Sequence, residues 1–215
     1  MSVDSNVDIS QSAVSDAEVF ALLREHKKIV ISLLLVGCVI GVVAALQKLP
    51  GGVFVNIGVG IFAVCVPLLA WIDQRTLRLP DVFTAPLAAV LAVLYVLDVL
   101  VGNLTGHELL VGLGNGVGIG ILFLIVAIAM SGGLGMGDIK FAIIAGFVLG
   151  TKSVTVALFA LLIVPPLIAL VALMPVLMRF LIVRDAENSL RDLGTYKFAY
   201  GPYLGIGSLI GLFIY

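Results

Sequence analysis

The segment SGGLGMGDIK, residues 131–140, interrupts a very apolar chain with glycine and then sets one acid, Asp138, at the start of the next apolar run. A second acid, Asp73, directly follows the run AVCVPLLAWI. A lone carboxylate beside lipid is costly. A pair has a use, because two carboxyls held close together cannot both ionise easily and so share one proton. The ionised member can take a proton from water as that water attacks a peptide carbonyl. The protonated member can donate a hydrogen bond to the carbonyl oxygen. Such a pair titrates as a unit. Whether Asp73 and Asp138 can meet depends on the elements that carry them.

Those elements are membrane helices. The chain has 215 residues, of which 61% are hydrophobic and 12% charged, with a mean hydropathy of +1.24. That excess of apolar residues implies an all-α, polytopic membrane helical bundle in a lipid bilayer. The net charge of −1 carries no signal for nucleic acid, because the charges are sorted by position. Cys38 and Cys65 form no C-x-x-C pair, and His26 and His107 fall on opposite faces, so neither a metal site nor a cofactor is expected. Residues 1–28 run from acidic to basic without the order of a secretory signal. They read as a largely flexible cytoplasmic tail with a short helix at DAEVFALLREHKK, followed by a membrane-embedded domain over 29–215.

Seven apolar segments can be marked: Ile29–Leu46, Val53–Ile72, Val82–Val101, Leu109–Met130, Ile139–Gly150, Val154–Met178 and Phe198–Tyr215. The fifth is short of the roughly 20 residues a crossing needs, so it either starts below the membrane surface or borrows from the TKS turn after it. With the N-terminus inside, ten of the twelve basic residues lie on the cytoplasmic side, and only Lys48 and Lys152 outside. The bias favours about seven spans, N-in and C-out. Two crossings separate Asp73 from Asp138, so both acids return to one face. In the fourth segment Gly112, Gly116 and Gly120 recur every fourth residue, as do Gly114 and Gly118, a spacing that lets helix backbones approach. Asn115 between them should hydrogen-bond to a neighbouring helix. Pro67, Pro165, Pro166 and Pro175 suggest kinked helices.

Several residues around the acids have plain structural readings as well. Gly135 and Gly137 could allow strained backbone angles and a substrate strand lying close, or could belong to a flexible loop with Asp138 starting a helix. Asp81 could cap the third span. Asp73 could be a solvated loop acid paired with Arg75.

The motifs together resemble those of the type IV prepilin peptidases, membrane aspartyl proteases named for G-x-G-D. Asp73–Asp81 has the pattern D-x-x-x-x-x-L-P-D, Gly135–Lys140 reads G-x-G-D-x-K, and Ala199–Leu209 is similar to the Phe-Gly-Pro-Phe-Leu type of segment that closes these enzymes. The resemblance implies that Asp73 and Asp138 are the catalytic pair and that Gly135, Gly137 and Lys140 shape the site, with Asp81 near enough to help hold a basic leader. It further implies a prepilin or pseudopilin substrate, cut at the cytoplasmic side of a prokaryotic inner membrane. Larger members add paired C-x-x-C motifs linked to methylation; none is present, and the loop Gln47–Gly52 is too short for a domain, so peptidase activity without methyltransferase activity is expected. Three other readings remain, the last a packing or assembly subunit with no chemistry. A presenilin-type protease would carry Tyr before the first acid, where this chain has Ile72. A small proton- or cation-coupled carrier would place its acids near mid-depth rather than at span ends.

Overall fold

A computed structural model describes residues 16–46, 52–76, 79–129, 135–182 and 200–214. Residues 1–15 of the expected tail, the SGGL part of the glycine turn, and Lys48, Arg78, Arg184, Arg191 and Lys197 lie outside the described residues. The described residues are helical, with no strand among them.

Among the described residues, five helical stretches are long and apolar enough to cross a bilayer. They are α2 (Lys27–Leu46), α3 (Val53–Thr76), α4 (Asp81–Val101), α5 (Gly106–Ala129) and the stretch that begins at Val154. Ahead of them lies α1 (Asp16–Glu25), at the short helix expected there. Two of the seven expected spans are shorter: α6 (Met136–Gly150) has 15 residues, and α9 (Gly201–Phe213) has 13. At 1.5 Å per residue α6 is about 22 Å long. It borrows no helical residue from the Thr151–Lys152 turn. It is buried along most of its length, and it packs chiefly against α5.

Local chemistry sets many of the helix ends. Thr105 and Glu108 form a reciprocal capping box at the start of α5: Glu108 Oε2 accepts from the Thr105 N–H at 2.7 Å, and Thr105 Oγ1 accepts from the Glu108 N–H at 3.2 Å. Gly102, with φ of 82°, ends α4 in the left-handed conformation that a side chain would strain. Asp98 stands out only in the structure. It is fully buried in α4, and its carboxylate accepts from the N–H groups of Gly52 at 2.7 Å and Val55 at 2.9 Å. It thus satisfies amides at the start of α3 that would otherwise be orphaned in an apolar setting.

One pair of prolines follows a change of helix type. Pro165 and Pro166 have no N–H to donate. Just before them, the chain between α7 (Val154–Leu158) and α8 (Val164–Ile182) widens into a π-helical turn, Phe159–Ile163, in which the Val164 N–H reaches back to the Phe159 carbonyl. Gly207 of α9 lies directly against the Ala160 carbonyl of that turn, so α9 docks where the helix has opened.

Only one of the two glycine registers in α5 makes the close approach. A Cβ on Gly116 would fall 2.7 Å from the Ile143 carbonyl oxygen, and Gly112 and Gly120 are as crowded against Thr151 and Ile143. A Cβ on Gly114 or Gly118 would meet nothing within 4 Å among the described residues of other elements. Asn115 donates to the Gly146 carbonyl of α6 at 2.8 Å, the interhelical bond its position called for.

Candidate active site

Asp73 lies in the last turn of α3, inside the helix and 3% exposed. It is therefore not a solvated loop acid. Arg75, the partner considered for it, stacks instead over the Trp71 ring at 5.8 Å. The Asp73 carboxylate accepts from the Gly201 N–H at 3.0 Å, a bond spanning 128 residues of sequence. Gly201 opens α9, with Pro202 behind it. The first amides of a helix have no partner within it and carry the positive end of its dipole, so an anion there is well placed. The approach also demands glycine. A Cβ on Gly201 would sit 2.7 Å from Asp73 Cγ and closer still to its Oδ2.

Asp138 is in the first turn of α6 and 5% exposed. Its Oδ2 reaches back to accept from the Gly135 N–H at 3.2 Å. Its Oδ1 is buried and has no hydrogen-bond partner among the described residues. Buried carboxylate oxygens are normally satisfied, so one left open marks a place where another group belongs.

The two acids, remote in sequence, line a single cavity of about 570 Å³, and their charges interact. Gly135, Gly137, Asp81 and Lys140 line the same cavity, so all six residues singled out from the sequence are brought together. Three details differ from expectation. Gly135 has an ordinary extended backbone (φ −73°, ψ 146°), so strain is not its contribution. Gly137 is needed for space: a Cβ there would lie 2.7 Å from Leu79 Cβ and 2.8 Å from the Leu79 amide nitrogen, in the link that leads into α4. Asp81 does not cap α4 with its side chain; Pro80 holds the cap position, and the Asp81 carboxylate pairs with Lys140 Nζ at 2.5 Å. That ion pair ties the start of α4 to α6. Its partners are 67% and 43% exposed, so its contribution to stability is about 0–1 kcal/mol.

Three contributors to this site, Gly201, Val19 and Asp16, were not singled out from the sequence. Gly201 lay in a segment noted for likeness alone. A Gly-Pro pair at the head of a late apolar run does signal a helix start with free amides, but not which acid those amides face. Val19 and Asp16 of α1 also line the cavity. Their helix was foreseen, its destination was not.

A family model described as the type IV leader peptidase family matches residues 60–173, a little over half of the chain and including both acids. The chain belongs to the type IV leader peptidase family. It is therefore a multi-pass membrane peptidase of the prepilin-processing kind. No curated protein and no solved structure matches it. In this leader peptidase the family match ends well before Gly201, so the amide that meets Asp73 is supplied from outside the matched region.

Proposed function

We propose that this leader peptidase is an aspartyl endopeptidase in which Asp73 and Asp138 together activate the water that cuts a prepilin or pseudopilin precursor. The reading is carried by one observation: two acids brought from separate helices line one cavity, and one of them presents a buried oxygen with no partner among the described residues. The ionised carboxylate takes a proton from water as the water oxygen bonds to the scissile carbonyl carbon. The other carboxyl hydrogen-bonds the carbonyl oxygen as charge develops on it. Collapse of the tetrahedral intermediate breaks the C–N bond, and the leaving nitrogen takes the proton held by the pair. Gly201 and Gly135, each donating an amide to one carboxylate, hold the two groups in place.

The proposed topology has seven crossings, with the N-terminus and the cavity on the cytoplasmic side, and is supported by the ten-to-two distribution of basic residues. Peptidase activity without methyltransferase activity is supported by the absence of paired cysteines. The test is co-expression with a small prepilin-like substrate and a gel-shift readout of leader loss. Asp73→Asn and Asp138→Asn should each accumulate to wild-type level in the membrane and leave the precursor uncut. A precursor processed normally by Asp138→Asn rules the mechanism out.

A further inference from the structure

Helix α1 lies outside the region matched by the family model, yet it forms part of the cavity wall. Its placement is specific. Val19 is 2% exposed, and Phe20 meets the Phe83 ring of α4 with centroids 5.9 Å apart. With Val19 turned into the wall, the first residue of the helix, Asp16, also lines the cavity.

Among the described residues the charges around this space are unbalanced: four carboxylates line it, those of Asp16, Asp73, Asp81 and Asp138, against the single cation Lys140. Lys140 is taken by Asp81. Asp73 and Asp138 are held by backbone amides. Asp16 is thus the lining carboxylate with neither an ion pair among the described residues nor a role in the proposed chemistry. The unpartnered Asp138 oxygen is an independent sign that a ligand completes this space.

We propose that α1 is part of the substrate-binding wall and that Asp16 is a specificity-determining residue, pairing with a cationic side chain of the substrate near the bond to be cut. The proposal rests on the aspartyl-pair reading above, which defines where that bond lies. Val19 and Phe20 fix α1 against the bundle, so the Asp16 carboxylate is presented from a formed helix. The pairing is made equally in the ground state and the transition state, and so acts on KM rather than kcat.

The test uses the full chain in lipid nanodiscs. Its probe is a fluorescein-labelled peptide with a Lys-containing leader ahead of an apolar segment, alongside a second peptide in which the Lys is Glu. Asp16→Lys should raise KM for the Lys peptide roughly five- to tenfold with kcat kept, because an exposed pair is replaced by repulsion. It should also favour the Glu peptide. Asp16→Asn should give a smaller rise, of about threefold. Binding is read separately by anisotropy in an Asp138→Asn background, where cleavage plays no part. Unchanged KM and anisotropy in Asp16→Lys would overturn the proposal, and so would a rise in KM that the Glu peptide does not reverse, or a fall confined to kcat. Cleavage surviving Asp138→Asn would instead overturn the aspartyl pair, so the two failures are distinct.

Discussion

Gly201→Ala probes the longest-range contact of the site. The added methyl would begin 2.7 Å from Asp73 Cγ and 3.0 Å from Asp73 Cβ, where carbon atoms normally rest about 3.5–4.0 Å apart. Either α9 or the Asp73 side chain must therefore give way by about 0.5–1 Å. Asp73 is built into the last turn of α3, and α9 is pinned where Gly207 meets the π-helical turn, so neither moves freely. The repacking should cost about 1–3 kcal/mol of stability. The function should suffer more. The amide bond to Asp73 is a hydrogen bond to an ionisable group, worth about 1.5–3 kcal/mol. Losing it along with a displacement of that size should lower kcat about 10- to 150-fold, since each 1.4 kcal/mol is a factor of ten. The assay is turnover of a leader peptide by protein in nanodiscs, well below the melting temperature, with a thermal melt on the same sample. A folded Gly201→Ala protein with wild-type kcat would refute the assignment of Gly201 as the residue that positions Asp73.

The glycine registers of α5 should separate cleanly in thermal melts. Gly116→Ala drives a methyl into the Ile143 carbonyl and should cost about 1–3 kcal/mol, whereas Gly114→Ala meets open space and should be neutral or gain up to about 1 kcal/mol from helix propensity. Equal effects at the two positions would show that α5 is rotated from the orientation described. Lys152, in the turn after α6, gives a pH prediction. Burial pulls its ammonium down from 10.5 to about 8. Between those values the unfolded chain holds more protons than the folded one, so this residue makes stability rise with pH from about 8 towards 10.5. In Lys152→Met that part of the rise should vanish from a melt series across the window; an unaltered slope would show that the group titrates normally.

The features legible in the sequence alone are those that depend on the composition of a single segment. Hydropathy marks the helices to within a few residues, because crossing lipid is decided by the composition of each segment. Counting crossings from Asp73 to Asp138 returns both acids to one side, and they do line one cavity. Asn115 could be read because an amide in an apolar helix has few alternatives to an interhelical bond. The tertiary structure decided what depends on how each helix is rotated and which partner it meets. It chose Gly112, Gly116 and Gly120 over Gly114 and Gly118, turned Asp81 from a cap into the partner of Lys140 across 59 residues, and brought Gly201 to Asp73 across 128. It also laid α1 against the cavity. Rotation and depth are set by packing against helices far away in the chain, and a periodicity of one segment holds no record of the partner it will face.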